Sequence, residues 1–303
     1  MDDERTKRAW YRIAVERDFL KKKGNAFQDF FSDIMEKRYP CDFIRVRPWG
    51  NVGDRKNDGY LPSQRTLFQV YAPNEMSSAE AVKKIDEDFR GALPFWRHYF
   101  DKWIFVHNSP QGLGPDVTKK ILELQNEEPH LAIHTFSFDD IGRIALSLPE
   151  DELIALLGGI IALTDAEVRD VTYEDLKIIL QSIARQPDSP ETDIRPVPGT
   201  KLSMSRLSED NAYLLNLGMV KSDRVGKFLA GWPDPLFGTQ VVASFRQEYR
   251  ALRHTGMLPD VIFHEMLVFA GGDVTYRRGA SLAVLAYLFE ECEIFERPGE
   301  NEA

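Results

Sequence analysis

One stretch, from Gly53 to Pro73, restricts the folds open to this chain more than any other. A polar turn bounded by Gly53 and Gly59 delivers Asp54 and Asp58 to the start of one strand. A second strand, Leu67 to Ala72, follows after a short turn. Its alternation puts Gln69 and Tyr71 on one face and Phe68 and Val70 on the other. Two carboxylates at a strand tip, beside an oxygen-bearing side chain on the neighbouring strand, suit a hard divalent cation such as Mg2+ or Mn2+. Such a cation with an activated water is the usual machinery for cutting a phosphodiester. An Asp/Asn/Gly turn alone is commonplace; its combination with the Gln69 strand makes it a site candidate.

The elements around this stretch alternate in type. Helices are expected over Arg5 to Lys23 and over Asn25 to Arg38, the second with an apolar stripe of Phe27, Phe30, Phe31, Ile34 and Met35. Asp42 to Arg47 reads as the first strand and Pro48 to Gly53 as a hairpin region. Ser78 to Phe100 has a helical period, with Ser77 or Ser78 as cap. Lys102 to His107 is an apolar, central strand that brings His107 to its end, where open sheets present functional groups. A helix over Asp116 to Asn126, a strand over Leu131 to Phe136 and a helix capped at Ser137 complete the order helix, strand, strand, strand, helix, strand, helix, strand. Crossover helices in that order imply some parallel pairing in an α/β core.

From Glu150 onward no strand signal of comparable strength occurs. Helices are expected over Glu152 to Leu163, Thr172 to Arg185, Ser203 to Leu217, Ser222 to Ala230, Phe237 to Arg253, Leu258 to Val268 and Gly279 to Glu293. An irregular stretch, Gln186 to Gly199, holds four prolines. The division expected is an α/β domain over 1–148, with a mixed sheet flanked by helices, and an all-α domain over 149–303. In the last helix Leu282, Leu285, Leu288, Phe289, Cys292 and Phe295 spread over more than one face, so it is buried in its own domain or against another chain.

Bulk properties exclude several classes. Hydrophobic content of 43% and charged content of 28% belong to a soluble globular protein. No run approaches the length of a membrane span, and the charged start is not a signal peptide. Cys41 and Cys292 stand alone, which fits a reducing, cytoplasmic setting. The chain has no phosphate-binding Gly-Lys-Ser/Thr loop, no zinc-binding helix of the His-x-x-x-His or His-Glu-x-x-His type and no serine nucleophile elbow. Net charge is −10, but residues 1–60 hold 14 Lys/Arg against 11 Asp/Glu, so a DNA-facing surface is expected there.

The turn and Gln69 strand resemble the PD-(D/E)XK nuclease superfamily, most of all its Mrr-type, restriction-endonuclease-like branch. The resemblance implies a Mg2+-dependent (or Mn2+-dependent) endodeoxyribonuclease, with Asp58 and Gln69 as metal-site positions and Asp54 nearby. Tyr71 stands where the family has its water-orienting lysine, and a phenol carries no positive charge to replace it. Lys56 is the candidate substitute. Gln28 follows Phe27 where relatives often have a metal-assisting glutamate, and His107 is a further accessory candidate.

Residues of roughly 195–298 carry a second resemblance: Lys201 to Leu207, Phe245 to Tyr249, Gly256 to Phe263 and Ala286 to Glu296 look like the C-terminal domain of ABC three-component defence systems, of which the Lamassu anti-phage group is one example. It implies an SMC-like ABC ATPase and a small middle component as partners, with the helical domain docking the effector or mediating its self-association into a homo-oligomer. The expected function is a DNA endonuclease effector held silent by its ATPase partner. The alternatives are a catalytically degenerate nuclease-like module that binds DNA or a partner, and a scaffold that only assembles.

Overall fold

The computed structural model describes residues 3–47, 55–159, 162–164, 167, 170–184 and 206–291. The hairpin region 48–53, Asp54, the proline-bearing stretch 186–199, the expected helix start at Ser203 and the chain from Cys292 onward lie outside the described residues. The chain divides into two compact units, one of residues 14–159 and one of residues 1–13 with 160–303. That division falls inside the first helix, α1 (Asp3–Lys21).

The first unit is built on a five-stranded mixed sheet. In space the order is β1 (Ile44–Arg45), β2 (Gly59–Leu61), β3 (Thr66–Tyr71), β4 (Lys102–His107) and β5 (Ala132–Phe136). The first two pairings are antiparallel and the last two parallel. The parallel pairs are joined through α3 (Ser78–Trp96) and α4 (Pro115–Glu127), as a parallel connection requires. The order of elements read from the sequence is the one observed.

Alternation along β3 sorts the core into two layers. Leu67 joins Trp103, Phe105 and Ile133 under Ile85 and Phe89 of α3 and Val117 and Leu124 of α4, with Tyr71 packed at the margin. On the other face Phe68 meets Phe31 of α2 (Gly24–Arg38) at 5.4 Å, Phe43 at 6.0 Å and Phe136 at 6.0 Å. Phe27 of α2 packs edge-on to Phe19, which also meets Phe138 of α5 (Phe138–Ala145). The α2 stripe expected from its spacing is therefore the buried one.

Ends follow local chemistry. Ser77 caps α3 by accepting the Glu80 N–H, and Ser137 with Asp140 forms a reciprocal capping box at α5. α3 stops at Trp96, four residues short of the expected end, soon after Pro94, which has no amide to continue the ladder. The first strand is two residues rather than the six expected. Arg45 of β1 is drawn onto α2 by Glu36 at 2.7 Å and by Asp33, which leaves a blunt sheet edge. The helix expected over Glu152 to Leu163 is the shorter α6 (Glu150–Leu156), because Gly158 and Gly159 take φ of 70° and 86°.

The second unit is helical among its described residues, with α7 (Tyr173–Ala184), α8 (Glu209–Met219), α9 (Ser222–Ala230), α10 (Phe237–His254), α11 (Pro259–Phe269) and α12 (Arg278–Glu291). α12 is its axis: Leu282, Ala283, Val284, Leu285, Ala286, Leu288 and Phe289 are all buried, and α7, α8, α9 and α11 pack around it. The apolar surface spread around this helix is thus satisfied within its own unit. The start of α1 belongs here too, with Thr6 3.1 Å from the Tyr213 hydroxyl and Arg5 stacked 4.3 Å over the Tyr213 ring.

Gly218 lets α8 approach α12 closely: a Cβ there would stand 2.6 Å from the Leu282 carbonyl oxygen. Gly218→Ala forces two packed backbones apart and is expected to destabilise the helical unit by about 1–3 kcal/mol. Urea unfolding of the variant beside the parent measures this, and an unchanged midpoint would refute the close approach.

Candidate functional site

Every amide of a buried central strand needs a partner. β2 covers β3 only as far as the pair Gly59 and Phe68. One step further the Asp58 amide still donates to Phe68 O at 3.0 Å, but the Val70 amide, beyond the ladder, donates to the Asp58 carboxylate at 2.7 Å. The other carboxylate oxygen accepts from Gln28 Nε2 of α2 at 2.8 Å. Asp58 is 5% exposed. The structure therefore joins two residues singled out in the sequence, Asp58 and Gln28, through a hydrogen bond from amide to carboxylate.

Gln69 lies across from Asp58 along the backbone but leaves β3 on the Leu67 and Tyr71 face, the face covered by α3 and α4. The Asp58 carboxylate reaches instead toward α2, which covers the Phe68 face. Gln69 is 4% exposed and its Oε1 has no hydrogen-bond partner. Asn57 is fully buried, and neither its Oδ1 nor its Nδ2 has one. A buried polar atom left unsatisfied costs about 1–3 kcal/mol, so these atoms of Asn57 and Gln69 lower the stability of the strand ends that carry them.

The turn before Asp58 is held in an uncommon conformation. Arg55 and Lys56 both take left-handed φ, 55° and 61°. Contacts from α3 fix them there: the Trp96 indole donates to Arg55 O at 3.0 Å, and Lys56 Nζ meets the Asp88 carboxylate at 2.8 Å. Lys84, one turn earlier on α3, meets the same carboxylate at 2.9 Å. Asp88 is fully buried and receives two ammonium groups. Neither Asp88 nor Lys84 stands out in a motif search. The signal that could have found them is the α3 stripe itself, where Asp88 sits in register with buried Ala81, Ile85 and Ala92.

Tyr71 rests on Phe105 with ring centroids 5.8 Å apart and faces His107 across the β3–β4 ladder. Burial pushes its phenol above the ordinary value, and the carboxylates of Glu80 and Asp88 push the same way. It is neutral at physiological pH, so the positive charge near this face belongs to Lys56 and Lys84. Asp58 and the amide oxygen of Gln69 are hard donors of the kind Mg2+ accepts, and Mg2+ keeps much of its water when few carboxylates bind it. Among the described residues no group of three or more His, Cys, Asp or Glu side chains is placed to hold a metal.

His107 is 1% exposed, stacks on Phe105 and accepts the Ser109 amide at Nδ1, 3.2 Å away. Burial pushes its imidazole down to about 4, against an opposing pull from Asp140. The unfolded chain takes up this proton near 6.5, so between 6.5 and 4 it binds more protons than the folded one and stability falls as the pH is lowered. The full loss is roughly 3 kcal/mol, complete near pH 4 and more than half of it present by pH 5. Thermal melts at pH 7 and pH 5 should show this loss in the parent and a flatter response in His107→Phe. Parallel responses would remove His107 as its source.

No helix among the described residues is long and apolar enough to cross a membrane. No curated protein and no solved structure shows a significant match to the chain. Residues 174–296 match the family model of C-terminal domain 10 of the ABC-three component (ABC-3C) systems. That match reaches back to take in α7, further than the motifs near 195 suggested. The sheet-bearing unit is left without a family, and the helical region is similar to C-terminal domain 10 of the ABC-3C systems.

Proposed function

We propose that the chain is the effector of an ABC three-component anti-phage system and that its sheet-bearing unit is a metal-dependent DNA endonuclease. One observation carries the enzymatic part. A buried carboxylate at a strand tip, Asp58, is held in one orientation by the Val70 amide and by Gln28, and Asn57 beside it in the chain keeps two buried polar atoms without hydrogen-bond partners. A carboxylate whose orientation is fixed by its neighbours is preorganised to hold an ion. When bound, Mg2+ or Mn2+ would lower the pKa of a water and offset charge on the scissile phosphate. Asp58 would hold the ion, with Gln69 as the second metal-site position that the nuclease resemblance implies. Gln28 would keep the carboxylate oriented from α2. Lys56 and Lys84 would supply the positive charge that Tyr71 lacks. Since one carboxylate faces two ammonium groups, the cluster retains net positive charge for a phosphate.

The helical unit would dock to an SMC-like ABC ATPase and a small middle component, or bring copies of the chain together, as its similarity to an ABC-3C domain suggests. A second reading, a nuclease-like module that only binds DNA or a partner, draws support from Tyr71 packed on Phe105 where the related motif has a lysine.

Plasmid DNA incubated with the purified chain and Mg2+ or Mn2+, alone and with its ATPase partner, separates the two readings. Cutting is expected, and Asp58→Ala should slow it by at least about a hundredfold. Cutting that is indifferent to Asp58, or absent under every condition, would leave only the binding reading.

A further inference from the structure

Large exposed aromatic side chains in the sheet-bearing unit are confined, among the described residues, to one place. Phe95 is 47% exposed and Tyr99 57% exposed, both at the C-terminal end of α3. Trp96 lies between them, edge-on to Tyr99 at 6.3 Å, and holds the backbone of Arg55 through its indole N–H. The Arg55 guanidinium lies 4.1 Å above the Phe95 ring. Arg55 is exposed and forms no ion pair among the described residues. Tyr60 supports the ridge from β2, donating its hydroxyl to Tyr99 O at 2.5 Å. Arg65 flanks it, donating to His98 O at 2.9 Å while pairing with exposed Asp101.

Exposed rings next to an arginine that pairs with no carboxylate among the described residues are poor companions for water and good companions for nucleotides. A base stacks on an aromatic face, and a guanidinium already lying over a ring can bind a phosphate with its free edge. Base-paired DNA buries its base faces in its own stack, so a stacking ridge selects unpaired nucleotides. A basic or apolar peptide would have no use for an arginine held over the ring.

We infer that Arg55, Phe95 and Tyr99 form a stacking surface for an unpaired nucleic-acid strand, with Arg55 as its phosphate contact. Two residues separate Arg55 from Asp58 in the chain, so the surface adjoins the turn that leads to the candidate site. The inference deepens the nucleic-acid reading of that site and rests on it.

The test is fluorescence anisotropy with a labelled oligothymidine of about 20 nucleotides, consistent with known site sizes, and a duplex of equal length. Chelator is present, so no metal chemistry contributes. The parent should bind the single strand more tightly than the duplex. Phe95→Ala with Tyr99→Ala should weaken single-strand binding by about tenfold or more. Arg55→Ala should weaken it and lower the salt slope by about one. Tyr99→Ala alone, at the more exposed site, gives an independent reading on a fully folded chain. Equal single-strand affinity in parent and variants, or a parent that prefers duplex or binds neither, overturns the surface. So does loss of ATPase-partner binding in variants whose DNA binding is intact, because the ridge would then be a protein interface. Asp58-dependent cutting with unchanged single-strand affinity refutes the ridge alone. Ridge-dependent binding without any cutting refutes the nuclease reading alone.

Discussion

The Val70 amide is the constraint on which the candidate site depends. β3 has strands on both sides, and from Thr66 to Gln69 it is buried on both faces. The partner strand on one side ends at Gly59, opposite Phe68. Two residues further on, the amide of half-buried Val70 would be left without a strand acceptor. Asp58 stands in for the missing strand, and several features follow from that substitution. The carboxylate is pulled into the end of the sheet, and its second oxygen becomes available to Gln28 of α2. The chain leading into Asp58 must then turn sharply, which it does through left-handed Arg55 and Lys56. α3 supplies what holds the turn, through Trp96, Phe95 and Asp88.

Charge counted along the sequence misleads about the same region. Much of the basic charge met in the first sixty residues is already paired inside the sheet-bearing unit. Arg45 serves Asp33 and Glu36, Arg47 serves Asp29, Arg17 and Lys22 serve Asp18, Lys37 serves Glu152 and Lys56 serves Asp88. Most of these pairs are at least partly exposed and add little stability, but they cancel long-range potential. A cation that pairs with no carboxylate among the described residues therefore matters more than the total, and Arg55 over Phe95 is such a cation.

Features governed by short-range periodicity were legible in the sequence. The α2 stripe, the two faces of β3, the caps at Ser77 and Ser137, and the burial of β4 all follow from spacing that repeats every two or every 3.6 residues. Contacts made between elements were not legible. Nothing in the spacing says that Gln28 reaches Asp58 thirty residues away, or that Lys56 and Lys84 share Asp88. Nor could alternation place the Asp58 carboxylate, since Asp58 lies outside β2 and its direction is set by the Val70 amide and not by the pleat. The end of α1 is similar: its first residues pack with Tyr213, a partner two hundred residues away that no local pattern reveals.

The tyrosine at position 71 follows from the neighbours that β3 is given. Trp103, Phe105 and His107 stack along β4 at 6.0 and 6.4 Å, and Tyr71 lies beside this column. The same burial that raises the Tyr71 phenol and depresses His107 would depress an ammonium group placed there, and a lysine that loses its proton loses its use. Positive charge is brought in from a wetter side instead. Lys56 and Lys84 keep part of their length in water while their ammonium groups meet at a fully buried carboxylate. Asp88 thereby fixes two flexible side chains for the burial of one acid, which costs less entropy than holding each in a separate pair. Charge and packing are separated in space: the strand keeps its aromatic contact, and α3 carries the electrostatics.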